Sequence, residues 1–249
     1  MLSGFYTIAS GMLAQQRNID LIGNNLVNLE TPGYRGQRMV FNTFEHELMI
    51  RKEAYQRTPI GSASPITLVD DVVTLNHSGL YQDTGHPFDI AIDGPGYFVI
   101  QGNEEQPYLT RGGQFNMDAE GYLILEGIGR VMGQDGPVQV KNAQFKVLAD
   151  GTVNNEAGRR IGNLQIVSPP EEVTLVRLNN GMYQMPAGQE SQAAEGFRLH
   201  QNVKETSNVN YTTEMTAFIE AQRAFQSCSS ALQIMDNMNR KAVSQIAAV

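Results

Sequence analysis

The run Asn116-Met117-Asp118-Ala119-Glu120-Gly121 offers amide and carboxylate oxygens at the alternating positions from which a calcium loop begins. Such a loop needs a bidentate carboxylate at its twelfth position, which here is Gly127, with Glu126 one place early. Gly127-Ile128-Gly129-Arg130-Val131-Met132-Gly133 has the glycines of a dinucleotide fingerprint, but its third glycine is one residue late and no helix is expected after it. It reads better as a hairpin turn. His46, His77, His86 and His200 are far apart and never at helical metal-ligand spacing. Neither a Gly-x-Ser-x-Gly elbow nor a phosphate-binding loop with its lysine occurs. We therefore assign no catalytic residue, no cofactor and no metal. Because carboxylates are plentiful, one rival reading stays open, a soluble enzyme acting on carbohydrate or peptide through an acidic cleft of its β domain.

Bulk composition narrows the classes further. The chain has 249 residues, a formal charge of −8 and one cysteine, Cys228. That charge argues against nucleic acid as a partner, since phosphate contacts need clustered Lys and Arg, and the pair Arg159-Arg160 reads as a solvated turn. A lone cysteine forms no intrachain disulfide. The first residues, Met1-Leu2-Ser3-Gly4-Phe5-Tyr6, lack the basic region and unbroken apolar stretch of a cleaved secretory signal, and no segment is apolar over a membrane-spanning length. These features fit the cytoplasm or export without a cleaved signal equally well.

The elements that organise the chain stand at its two ends. Phe5, Ile8, Met12, Gln15, Ile19, Ile22, Leu26 and Leu29 recur at alternating spacings of three and four, the a/d pattern of a coiled-coil helix. Gly4, Gly11 and Gly23 each cost that helix roughly 1 kcal/mol relative to Ala. Thr31-Pro32-Gly33 should end it, since proline excludes the helical region for the residue before it. Near the other end Phe218, Ala221, Phe225, Cys228, Leu232, Met235, Asn239, Ala242 and Ile246 repeat the spacing, in a stretch free of Gly and Pro from Tyr211 to Val249. Asn208 or Asn210 is the expected N-cap. Cys228 falls on this seam, where burial suits it better than nucleophilic chemistry.

Between the helices the texture changes to short β-branched or alternating runs bounded by glycine. Strands are expected at Phe88–Ile92, Gly96–Ile100, Tyr122–Leu125, Val138–Val140, Phe145–Leu148, Leu164–Val167 and Val173–Leu178, with turns at Asp93-Gly94, Asp135-Gly136, Asp150-Gly151 and Asn180-Gly181. The stretch from Phe41 to Asn76, with Pro59, Gly61 and Pro65, reads as an extended connector. The fold class is thus α+β: paired coiled-coil-like terminal helices, an extended connector and a central, mostly antiparallel β domain. Expected divisions are 1–33 with 208–249 as a helical polymerisation core, 34–77 with 196–207 as connector, and 78–195 as the β domain.

Two arrangements would satisfy the seams: the helices could cover the chain's own β domain, or pack against sister copies. Burying each seam side chain is worth roughly 1.5 to 3 kcal/mol, so about a dozen of them favour self-association over exposure.

The segment Gly23-Asn24-Asn25-Leu26-Val27-Asn28-Leu29-Glu30-Thr31-Pro32-Gly33-Tyr34-Arg35 resembles the N-terminal signature of the flagellar rod and hook protein family, an Asn-Asn-Leu-x-Asn core followed by Thr-Pro-Gly, an aromatic and a basic residue. Similarity continues through Gly79-Leu80, Thr84-Gly85, Pro87, Asp89-Ile90-Ala91-Ile92-Asp93-Gly94, Gly96-Tyr97-Phe98, Thr110-Arg111, Phe115, Asp118 and Gly121-Tyr122-Leu123. It ends with Ser207-Asn208-Val209-Asn210, Glu214-Met215 and Glu220-Ala221-Gln222-Arg223-Ala224-Phe225. The resemblance implies a non-enzymatic subunit of the bacterial flagellar basal body, exported through the flagellum's own apparatus without a cleaved signal. Such a subunit polymerises helically beneath the hook into a rod crossing the periplasm, with no membrane insertion. Its partners would be its own copies and neighbouring axial proteins, its terminal helices would form the inner tube, and its β domain would face outward.

On this reading the subunit interface comprises Phe5, Ile8, Met12, Ile19, Ile22, Asn24, Asn25, Leu26, Asn28 and Leu29 from the first helix. From the second it comprises Phe218, Ala221, Arg223, Phe225, Cys228, Leu232, Met235, Ala242 and Ile246. Thr31, Pro32 and Gly33 turn the chain. Asn24, Asn25 and Asn28 would satisfy hydrogen bonds near the helix end or simply cap it, and Glu214, Glu220 and Arg223 would make charged contacts between helices. Tyr34 and Tyr97 stand where phenylalanine is usual. The stretch from Phe41 to Gly79 is short for a hook subunit and lacks the glycine-rich segment typical of distal rod proteins, which leaves a rod subunit, proximal or distal.

Overall fold

The computed structural model describes residues 2–44, 47–53, 56–63, 66–102, 107–170, 173, 175–178, 181–186, 188–189 and 191–246. His46, Pro65 and Asn180, and the side chain of Ile246, lie outside the described residues. The chain divides into two compact units, one of residues 1–27, 36–75 and 209–249, the other of residues 28–35 and 76–208. Among the described residues no helix is long and apolar enough to cross a membrane.

The first unit holds helix α1 (Leu2–Val27), strands β1 (Gln37–Phe44), β2 (Glu47–Glu53), β3 (Gln56–Ala63) and β4 (Ile66–Thr74), and helix α2 (Tyr211–Ile246). α1 packs on α2, β1 and β4. Glycines in α1 oppose helix propensity but permit close approach: a Cβ at Gly4 would sit 3.2 Å from Met235 Cε, and one at Gly11 would sit 3.9 Å from Cys228 Sγ. The buried line of α1 accordingly runs through Ala14, Ile22 and Asn25, while Phe5 is 39% exposed. Ile22 of the apolar seam lies on this line, and Ile8, Met12, Ile19 and Leu26 of the same seam are half-buried. On α2 the sequence seam does face inward, with Ala221 buried and Phe218, Phe225, Cys228, Leu232, Met235 and Ala242 half-buried. Asn210 caps α2, its Oδ1 accepting from the backbone N–H of Thr212 at 3.0 Å and Thr213 at 3.2 Å.

The stretch expected as a connector is extended but doubled back. β1 pairs antiparallel with β4 from Gln37↔Thr74 to Phe44↔Ile66, and β2 pairs with β3 from Glu47↔Ala63 to Glu53↔Gln56. Pairing satisfies backbone groups that a lone extended segment would leave to water.

The second unit is the β unit. Its strands include β5 (Tyr81–Asp83), β6 (Ile90–Asp93), β7 (Tyr97–Gln101), β8 (Tyr108–Thr110), β9 (Asn116–Met117), β10 (Leu123–Leu125) and β11 (Gly129–Gly133). The largest sheet is wholly antiparallel and runs Val176–Arg177, Tyr183–Gln184, β8, β7, β11, β10, β9. β7 is apolar on both faces, as a central strand requires. Phe98 and Ile100 enter a core with Ile90, Ile92, Leu123, Val131 and Leu164, where Phe98 meets Phe115 edge-on at 5.0 Å between centroids. Tyr97 and Val99 point to a smaller cluster with Leu109, Val167 and Tyr183.

Several strands are shorter than their apolar runs. Val138 and Val140 are buried, yet only Gln139 forms a bridge, to Tyr122. The expected strand at Val173–Leu178 reduces to Val176–Arg177. Residues 196–207 were expected as connector, but Arg198–Gln201 pairs with β6 and Val203–Glu205 with β5, so the returning chain is part of the β unit. The glycine-rich run at 127–133 is the hairpin read from the sequence, with Leu125 paired to Gly129.

Candidate assembly site

The Thr-Pro-Gly turn lies at the edge of the β unit, preceded by a turn in which Asn28 O accepts from Thr31 N at 3.2 Å and Asn28 Oδ1 accepts from Thr31 Oγ1 at 3.2 Å. α1 has already ended at Val27, several residues before Pro32. Gly33 adopts φ of +68°, and a Cβ there would fall 2.4 Å from the carbonyl carbon of Arg111, so only glycine fits. Gly33 N donates to Glu205 O at 2.9 Å, tying the turn to the returning strand.

Beyond the turn, Tyr34 is buried beneath the guanidinium of Arg177, which lies 4.3 Å from the ring centroid and donates to Arg35 O at 2.8 Å. Arg35 donates to Asn76 O and to Glu205 Oε1, the latter at 3.2 Å. Glu205 also accepts from Gly79 N at 3.2 Å and stands 3.3 Å from Arg111 Nε through Oε2. The remaining Arg111 donors reach Gly94 O at 2.9 Å, Gly96 O at 2.6 Å and Ile92 O at 3.2 Å. All three charged side chains are at most 6% exposed. Burial pushes the Arg111 guanidinium below its ordinary pKa, Glu205 opposes the shift, and Arg35 adds to it.

Glu205 thereby fastens three stretches that are distant in sequence: residues 33–35, where the chain enters the β unit, residues 76–79, where it enters again, and 203–208, where it leaves. Replacing such a buried pair by apolar residues can be neutral, but removing one partner strands the other, at about 3–5 kcal/mol. The arrangement fixes geometry more than it adds stability.

Of the other sequence-derived sites, Asn25 is 2% exposed and engages within the helical unit. Its Nδ2 donates to Gln37 O at 2.8 Å and to Glu214 Oε2 at 3.2 Å, and its Oδ1 accepts from Gln37 N at 3.0 Å. Asn24 is exposed, whereas Ile8, Met12, Ile19, Leu26, Asn28 and Leu29 are half-buried. Among the described residues Glu220 and Arg223 form no ion pair within the chain and are exposed on α2, where Arg240 pairs with Asp236 at 2.9 Å. The carboxylates of the calcium-like run are engaged by Arg130, which meets Asp118 at 3.0 Å and Glu120 at 2.7 Å. Asp89, in a cleft of about 540 Å³, is bonded through Oδ2 to the Thr84 hydroxyl at 2.7 Å. Sequence reading missed Glu205, Arg177 and Gln37; nothing in their local patterns marks them, because each acts through a partner at least 12 residues away.

A helix pair made from the two chain ends, together with a β unit stitched where the chain enters and leaves, defines a structural subunit. Three family models match in order: "Flagella basal body rod protein" at residues 5–35, "Flagellar hook protein FlgE/F/G D1 domain" at 91–155 and "Flagellar basal body rod FlgEFG protein C-terminal" at 200–246, together more than half of the chain. The chain belongs to this family of flagellar rod and hook proteins and is a structural subunit of the basal-body rod. It is 28% identical to the flagellar basal-body rod protein FlgF of Caulobacter vibrioides, over 99% of this chain and 98% of that protein. It is 29% identical to the rod protein FlgG of Bacillus subtilis, over 98% of each. It is also 29% identical to the hook-basal body complex protein FlhO of the same organism, over 99% of each. The rival enzyme reading finds no support in these relatives.

Proposed function

We propose that the subunit polymerises helically through α1 and α2, which pack as a coiled-coil-like core with sister copies and neighbouring axial proteins, while the β unit decorates the outside of the rod. The observation that carries this is the apolar surface left open on the paired helices. Tyr6, Leu13, Val27, Ile234, Met238 and Val243 are between 54% and 82% exposed even with α1 and α2 in contact. Each such side chain is worth roughly 1.5 to 3 kcal/mol on full burial, so leaving all of them in water is costly and packing against further helices relieves it. A contact that joins unlike surfaces of identical subunits and does not close gives an open helical polymer without any catalysis.

Export through the flagellar apparatus completes the proposal, supported by the likeness to flagellar basal-body rod proteins over nearly the whole chain. The interface assigned above to the two seams, from Phe5 to Leu29 and from Phe218 to Ile246, belongs to the same reading, with Thr31-Pro32-Gly33 as the turn out of the core. Deleting Tyr211–Val249 should abolish swimming while the β unit keeps its far-ultraviolet signature. Normal swimming in that strain would refute the reading.

A further inference from the structure

In a chain of net charge −8, three guanidinium groups gather around Tyr34 and Glu205 in the β unit. Arg35 and Arg111 flank Glu205, and Arg177 covers Tyr34 and bonds to Arg35 O. Among the described residues Glu205 is the one carboxylate paired with them, and its single charge balances only one of the two buried guanidinium groups, Arg35 and Arg111. Among the described residues Arg35 Nε finds no hydrogen-bond partner, although its side chain is only 6% exposed. A buried donor without an acceptor, inside a buried surplus of like charge, is stabilised by an incoming anion. Beside it opens a cleft of about 440 Å³ lined by Arg35, Arg111, His77, Ser78, Tyr97 and Ser168.

We propose that this cleft is a carboxylate-binding site, and that in the polymer its occupant is an acidic side chain of a second copy of this chain. The planar fork of a guanidinium matches a carboxylate, hydroxyl and imidazole groups on the lining supply further donors, and a chain with 26 Asp and Glu against 18 Lys and Arg has acidic side chains to offer. The second-copy occupant rests on the assembly proposed above. The anion site does not.

Nitrogen-15 NMR of the full-length chain, titrated with acetate against chloride at constant ionic strength, tests the site. The Arg35 Nε–H resonance should shift saturably with acetate alone, and Ser168→Ala should weaken acetate binding by about fivefold, the worth of one hydrogen bond. A resonance that stays still, or moves equally with chloride, overturns the site. Ser168→Glu places a carboxylate at the mouth of the cleft. It should raise the thermal midpoint and impair swimming, by occupying the place of the neighbouring copy. Normal swimming in Ser168→Glu, with acetate binding intact in the parent chain, overturns the second-copy occupant and leaves a site for free anions.

Discussion

Asn25 brackets the peptide of Gln37 with its carboxamide, accepting from Gln37 N at 3.0 Å and donating to Gln37 O at 2.8 Å. A side chain near the end of α1 thus fixes the first residue of β1, and through it the register of the β1–β4 pair that opens at Gln37↔Thr74.

Asn25→Ala leaves both groups of Gln37 without these partners and should destabilise the helical unit by about 1–3 kcal/mol. Asn25→Asp is expected to be no milder despite its shape, since it loses the donor and sets a second carboxylate beside Glu214 Oε2, now 3.2 Å from Nδ2. Amide hydrogen exchange at Gln37 measures both.

Glu205→Ala strands Arg35 and Arg111 in the β unit and should lower stability by about 3–5 kcal/mol. Urea unfolding followed through the tyrosines would show a lower midpoint at unchanged slope. An effect below about 1 kcal/mol would mean that Glu205 does not fasten the chain crossings.

Gly33 and Gly85 share a left-handed backbone, with φ of +68° and +65°, but only Gly33 has backbone within reach of an added Cβ. Gly85→Ala should cost about 1–2 kcal/mol, the left-handed penalty alone. Gly33→Ala adds the collision with Arg111 and should cost markedly more. Equal midpoints for the two variants would contradict the packing of the turn.

Tyr183 is pushed up to about 12, chiefly by burial, with Arg177 acting in the opposite direction. The folded state therefore retains a proton that the unfolded chain releases near pH 10, so this contribution is present in full below about pH 10 and is lost as pH rises toward 12. A phenolate absorbance titration should show one late tyrosine, missing in Tyr183→Phe.

The helices, the hairpin at 127–133 and the central position of β7 were legible because each follows from local spacing. The apolar spacing of α1 marked Ile22 but not the buried Ala14 and Asn25, because period alone weights large apolar side chains over small or polar ones. The stretch from Phe41 to Asn76 reads as a connector because pairing between β1 and β4 spans long sequence separations and leaves weak local periodicity. The motif residues Arg35 and Arg111 were visible as types, but their common partner Glu205 was not, since a buried ion cluster is defined by contacts 94 to 170 residues apart in numbering.

Electron cryo-microscopy of intact basal bodies carrying this subunit tests the central claim most directly, with a tag in the exposed turn closed by Gly158 N and Asn155 O to locate each copy. The account expects Tyr6, Leu13, Ile234 and Met238 to be covered by side chains of adjacent subunits. Rods in which those residues face water while the subunits touch only through their β units would contradict it.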